Sequence, residues 1–478
     1  MVFSSIVFLF YFLPFCLAGY FLLPTLALRN AFLLLASLLF YYWGEPRFLP
    51  ILLASITINY CIGLGLGYLV NPVRRWLLAL GIIANLLLLV TVKYANFLTD
   101  NLNQLFQPFD VSLTIPVIIL PLGISFFTFH AISYLVDIYR RKVLPQRDLL
   151  TAALYIAMFP QLVAGPIIRY QQVASQLHHR RSTFGRASAG IRIFIIGLAQ
   201  KVLIANEVAN LADTVFANAT ASAVEAWLGV IAYTLQIYFD FAGYSNMAIG
   251  LGLIFGFTFP RNFCLPYRAW SVTEFWRRWH ISLSTWFRDY LYLPLGGNRH
   301  SRFRTYVNLM TVFLLCGLWH GASWNFVVWG FHHGAFLIIE RAGLGTYLGK
   351  RPIWLRQSYT LLVVMTAWVW FRANDLPHAL NLFKAMIGGY SIDVLSIPTY
   401  LALQPLTIIT LVAGGFFALG PGRKECPNGP SFQWLPPLIL NNSKVLAVAD
   451  TVMIFGLLLL SVLAVGSGAY NPFLYFRF

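Results

Sequence analysis

Apolar runs of membrane-crossing length recur from one end of the chain to the other, and they constrain its fold more than any other feature. A helical span needs about 20 mostly apolar residues. Candidate runs are 5–24, 31–43, 48–70, 76–98, 116–138, 149–166 and 190–209. Further runs follow at 226–241, 244–258, 307–319, 324–340, 358–372, 400–420 and 448–468. Helices satisfy their own backbone, as a chain must in a medium without water. Several runs fall well short of about 20 residues, and these are expected to be re-entrant or half-spanning helices buried among neighbours. The expectation is an all-α, polytopic integral membrane protein with about 11 transmembrane helices plus short re-entrant ones. No fixed-period repeat interrupts the pattern, so one membrane-embedded domain over residues 1–478 is the simplest organisation. Met1 to Leu23 has no basic leader and no small-residue cleavage site, which predicts a retained first span rather than a signal peptide.

Charge supports the same class. Only 10% of residues are charged, against about 25% in soluble domains. The 33 Lys+Arg exceed the 16 Asp+Glu, giving a net charge of +17. In a soluble chain that excess would suggest nucleic acid. Here the basic runs (Arg74-Arg75, Arg140 to Lys142, Arg180-Arg181, Arg299 to Arg304, Lys350-Arg351) alternate with apolar spans, and no nucleic-acid module appears. Cytoplasmic loops and lipid headgroups account for them, so the expected partner is the bilayer and not nucleic acid. The five cysteines are scattered, odd in number and without a CxxC pair. They predict neither a disulfide framework nor a zinc site.

Two histidines stand out against this apolar background. Read as one helix, Val272 to Leu293 places Phe275, Trp276, Trp279, Leu283, Trp286, Phe287 and Tyr290 on a single aromatic stripe. His280 falls at the edge of that stripe. A membrane-surface helix with an interfacial histidine explains the periodicity. The alternative dips the helix toward a chamber with His280 at its mouth. His320 follows Val307 to Trp319, thirteen residues in which only Asn308 and Thr311 are plainly polar. Gly317 and Gly321 on either side would admit a close backbone or ligand. His320 is either a satisfied core residue or a general base, since a neutral imidazole can take a hydroxyl proton.

Other polar intrusions are fewer. Asp240 interrupts an apolar span and must pair, hydrogen-bond or stay protonated. Lys201 and Glu207 are six apart, which is not a helical pairing distance. His130 and the adjacent His332 and His333 are weaker candidates, because neighbouring histidines face different ways on a helix. No HExxH, CxxC, GxSxG or P-loop is present, so no metal site is expected.

These blocks together resemble the membrane-bound O-acyltransferase family, and in it the bacterial branch that O-acetylates alginate and related polysaccharides. The teichoic acid D-alanyl transfer protein is a more distant likeness. The blocks are MVFSSIVFLFYFLP, LLLASLLFYYWGEP, LPLGISFFTFH, FPQLVAGPIIRY and YFDFAGYSNMAIG, then NFCLPYRAWSVTEFWRRWHISLSTWFRDYLYLPLGG, GLWHGASWNFVVWG and YNPFLYFRF. The resemblance implies helices around a tunnel, with residues 263–340 carrying the two-histidine catalytic region. By the same resemblance His320, in the WHG motif, would be the essential histidine, and His280 the second. Asp240, Trp319 and Arg277 are the expected supporting residues; read from the residues themselves, Arg277 and Arg278 either attract an anionic donor such as a CoA phosphate or, the preferred reading, anchor the helix to lipid headgroups. Relatives carry an acid where this chain has Asn246 and a histidine where it has Gln161, so neither position is expected to be catalytic.

The implied activity moves an acetyl group from a cytoplasmic donor, acetyl-CoA, across the bacterial inner membrane to an extracellular polysaccharide such as alginate. No permanently bound cofactor is expected. Extracytoplasmic acetyltransferase proteins are the implied partners. The alternatives are a transporter of the acylated carrier, a scaffold recruiting a periplasmic acetyltransferase, or D-alanyl transfer to teichoic acid.

Overall fold

The computed structural model describes residues 2–110, 112–218, 221–391, 394–420 and 444–468, and helices are the only regular secondary structure among them. Five helical segments are long and apolar enough to cross a membrane: Leu26–Gly44, Pro46–Tyr68, Val73–Phe109, Phe184–Ala217 and Val448–Gly466. Phe8–Leu22, Ile124–Tyr139 and Pro405–Leu419 are shorter apolar helices. The chain is an all-α, multi-pass membrane protein. Cys426 and the closing YNPFLYFRF block lie outside the described residues. Two compact units are formed, one from Met1–Ile191 with Ala248–Phe259 and one from Arg192–Met247 with Pro260–Phe478.

The first unit is built from α1 (Leu13–Leu22), α2 (Leu26–Gly44), α3 (Leu49–Tyr68), α4 (Val73–Phe106), α5 (Ile124–Tyr139), α6 (Leu149–Ala157) and α7 (Tyr170–His178). Phe3, Phe8, Phe12, Phe40 and Phe159 pack edge to face and tilted at one end of it. Asn59 of α3 and Asn85 of α4 exchange amide hydrogen bonds at 3.1 and 2.8 Å, the kind of polar link that holds helices together in lipid. The apolar run 116–138 is not one helix. Its first residues are not helical, because Pro116 and Pro121 lack a donor and disfavour helix before them. Asn96 of α4 bonds the N–H and the C=O of Ile118 in this stretch, and Asn103 does the same for Leu113 just before the run. His130 belongs to this unit, where its Nε2 accepts the Ile168 N–H at 3.3 Å.

The second unit takes up the chain within α8 (Phe184–Ala199), which passes through a π-helical turn at Gln200–Ala205 into α9 (Asn206–Ala217). The runs 226–241 and 244–258 are one helix, α10 (Ala223–Ile254), because Gly243 between them serves close packing rather than a break. A Cβ on Gly243 would sit 2.6 Å from the Gly197 carbonyl oxygen. Next come α11 (Val272–Arg278), α12 (Ile281–Phe287), α13 (Arg302–His320), α14 (Trp324–Ile339), α15 (Ile353–Arg372), α16 (Leu376–Met386), α17 (Pro405–Leu419) and α18 (Lys444–Gly466). Helices α13 and α14 form a tight hairpin. A Cβ on Gly317 would lie 2.1 Å from the Phe326 carbonyl oxygen, and one on Gly330 would lie 2.3 Å from that of Phe313. The close backbone approach expected at Gly317 is therefore made by α14.

Candidate active site

The helix expected from Val272 to Leu293 breaks at its histidine. Helix α11 ends at Arg278, α12 begins at Ile281, and the aromatic stripe continues across the gap. His280 sits in the gap with φ 42° and ψ 54°, a left-handed conformation that L-residues other than glycine seldom adopt. Neighbouring backbone explains why it is held there. The Cys264 N–H donates to the Arg278 carbonyl at 2.9 Å, and the Ile281 N–H donates to the Asn262 carbonyl at 2.9 Å. A short antiparallel pairing with 262–264 thus takes over hydrogen bonds that a continuous helix would have made internally.

His280 is almost fully buried. Its Nδ1 lies 3.1 Å from Asn262 Oδ1, and its Nε2 meets no hydrogen-bond partner among the described residues. Phe241 lies edge to face on the imidazole at 4.6 Å, and Phe263 stacks at 6.4 Å. On a third side stands Trp319, whose ring centroid is 6.2 Å away.

Trp319 joins the two histidines. Its ring is also 4.8 Å from that of His320, the last residue of α13. His320 is buried among Trp329 at 4.9 Å and Phe371 at 5.1 Å, both edge to face. Sequence reading separated the two histidines by forty positions; the fold brings both against one indole. Trp329 in turn packs on His333 at 5.0 Å, and Trp276 Nε1 donates to His333 Nδ1 at 3.3 Å. His333 is thus part of the same aromatic wall, whereas His332 faces α15 and bonds the Val363 carbonyl at 3.0 Å.

Beside this wall is a cavity of about 470 Å³. Arg277, Arg288, Thr273, Ser284 and Thr285 supply polar groups, and Trp276, Leu283, Phe287, Val312 and Phe313 supply an apolar lining. Ile281, next to His280, and Cys316, one turn before His320, also line it. Arg277 is exposed and so is available to a ligand. Arg278, by contrast, is held by Glu274 at 2.6 Å. Asp240 forms a buried ion pair with Lys201 at 2.7 Å. Glu207 accepts from Thr407 at 2.9 Å. Among the described residues no cluster of three or more His, Cys, Asp or Glu side chains could hold a metal ion.

A family model described as MBOAT, membrane-bound O-acyltransferase family, matches residues 117–374, a segment that contains every site residue named above. The chain belongs to the membrane-bound O-acyltransferase family. It is an O-acyltransferase. Among curated relatives, the "Probable alginate O-acetylase AlgI" of Azotobacter vinelandii is 42% identical, with 100% of each chain covered. The "Peptidoglycan O-acetyltransferase" of Helicobacter pylori is 38% identical over 81% of this chain and 80% of its own. The "Teichoic acid D-alanyltransferase" of Streptococcus thermophilus is 27% identical over 50% of this chain and 59% of its own.

Within this O-acyltransferase, Asn262 and His333 are the site residues that sequence reasoning passed over. Asn262 lies in the NFCLPYRAW block but carries no periodicity, and His333 was discounted with its neighbour.

Proposed function

We propose that this O-acyltransferase moves an acetyl group from acetyl-CoA to a hydroxyl of an extracellular polysaccharide of the alginate type, in the bacterial inner membrane. The observation that carries the reading is the convergence of His280 and His320 on Trp319, near a cavity whose lining mixes apolar side chains with Arg277 and Arg288 and includes Ile281 and Cys316 but neither histidine. Acyl transfer to a hydroxyl needs a base in a water-poor chamber, and a buried histidine in an aromatic wall answers that need. His320 is the general base in this scheme, and His280 is the second polar group that positions a substrate. Arg277 and Arg288 suit the phosphates of a CoA donor. Tyr292 and Leu309, which line the cavity, bracket the basic run 299–304 in sequence. The positive-inside rule puts that run, and with it the donor, on the cytoplasmic side. The polymer then requires extracytoplasmic partner proteins.

The test is transfer of labelled acetyl from acetyl-CoA in membranes carrying wild type, His320→Ala or His280→Ala, in an alginate-producing host that lacks its own relative. Loss of about 10²-fold or more in folded His320→Ala supports the reading. Normal transfer by both folded variants overturns it and leaves the two histidines as packed core residues outside the chemistry.

A further inference from the structure

Asn262 fixes which nitrogen of His280 carries the proton. The Ser282 backbone N–H can only donate, and it points at the Asn262 side chain at 3.3 Å. The Asn262 atom it meets must therefore be the oxygen. Ser282 Oγ donates to that same oxygen at 2.9 Å, and Asn262 Nδ2 donates to Ser245 Oγ at 2.9 Å, so the amide is locked at both ends. The same oxygen faces His280 Nδ1 at 3.1 Å. Two acceptors cannot share that contact, so Nδ1 bears the hydrogen of the neutral ring. Nε2 is then left with its lone pair, buried and with no partner among the described residues. The groups brought against the imidazole are Phe241, Phe263, Trp319 and Asn262, none of them ionised or able to reverse the tautomer. Asn262 also holds the left-handed turn, since its carbonyl and its side chain take the two N–H groups that follow His280.

We propose that Asn262 is a positioning residue that presents His280 Nε2 as a hydrogen-bond acceptor, so that His280 takes the acceptor hydroxyl rather than the acetyl carbonyl. A sugar O–H can donate to a lone pair; a thioester carbonyl offers only lone pairs of its own. The inference rests on the acetyl-transfer reading and narrows the role of one of its histidines. Ser245 and Ser282 complete the clamp by fixing the amide.

The experiment pairs tautomer and rate. Nitrogen-15 NMR of histidine-labelled protein, with His280→Ala subtracted, is expected to show Nδ1–H with an unprotonated Nε2. Asn262→Leu, confirmed folded by its melting temperature, is expected to lose about 10²- to 10⁴-fold in acetyl-transfer rate with KM for acetyl-CoA little changed. Asn262→Asp keeps an oxygen in place and adds a charge. It is expected to retain most of the activity while moving the acid limb of the pH–rate profile up by about one unit or more, because a nearby carboxylate favours the imidazolium and only the neutral ring accepts. An Nε2–H tautomer in wild type, a folded Asn262→Leu with wild-type rate, or an unmoved profile in Asn262→Asp each overturns the proposal. If Asn262→Leu does not fold, the wild-type spectrum and Asn262→Asp decide. A wild type that transfers no acetyl overturns the functional reading instead, and the spectrum still reports the tautomer.

Discussion

At the scale of single residues, Trp319 carries the strongest structural claim, because its indole is the surface on which both imidazoles rest. Trp319→Phe keeps a ring there and is expected to keep acetyl transfer within about tenfold of wild type. Trp319→Ala opens a cavity, at a cost of about 3–5 kcal/mol. It also frees both rings to turn, which is expected to reduce transfer by about 10²-fold or more. Transfer assays beside detergent melting curves separate the two effects, and an alanine variant with normal transfer would remove the bridging role. The ion pair of Lys201 with Asp240 is a different case. Both side chains are buried, so Asp240→Asn leaves a desolvated ammonium and is expected to cost about 3–5 kcal/mol. Replacing both by Lys201→Met and Asp240→Leu is expected to recover most of that loss if the pair is a brace. A stable Asp240→Asn that loses only transfer would instead give the carboxylate a chemical part. The two site histidines were legible in the sequence because a polar ring amid tryptophan and leucine is conspicuous and each sits in a distinctive motif. Asn262 was not, since an amide in an aperiodic stretch gains its meaning only from the strand-like pairing that places it beside residue 280.

At the scale of elements, the aromatic stripe from Phe275 to Tyr290 read as a single helix because its 3.6-residue period survives the break. No proline or glycine marks Trp279 or His280. The turn is imposed from outside by residues 262–264, and a long-range pairing of that kind leaves no local signal. The α13–α14 hairpin was more legible, for Gly317 announced a close approach. Its partner Gly330, inside an apolar helix, gave no such signal. Both stand against backbone rather than movable side chains, at 2.1 and 2.3 Å from carbonyl oxygens. Gly317→Ala and Gly330→Ala are each expected to push the hairpin apart and cost about 1–3 kcal/mol. Because His320 ends α13, transfer is expected to fall with stability. Melting temperature and acetyl transfer of each variant check this, and unchanged values for both variants would show that the hairpin yields to the added methyl group.

At the scale of the whole molecule, the membrane class followed from apolar runs alone, whereas the cavity near the two histidines did not. Its lining comes from residues dispersed over 273–337, and no spacing rule gathers Arg277, Arg288 and Cys316 around one space. The two arginines differ in setting. Both are exposed, but Arg288 donates to Asp289 at 2.7 Å, so Arg277 carries the charge more available to a ligand. If the cavity receives the CoA phosphates, the arginines contribute to donor binding and not to the chemical step. Arg277→Ala is then expected to raise KM for acetyl-CoA by about fivefold, with kcat nearly unchanged and the effect shrinking at high salt. Arg288→Ala is expected to do the same more weakly, because part of its charge already meets a carboxylate. Filling the space tests the same point by shape. Leu309→Trp adds volume at the cavity wall without touching either histidine, and is expected to raise KM for acetyl-CoA further than either arginine variant. Steady-state rates over acetyl-CoA concentration at two ionic strengths distinguish these outcomes. A fall in kcat without change in KM would place the arginines in the transition state, and no change in either constant would move the donor to another surface of the protein.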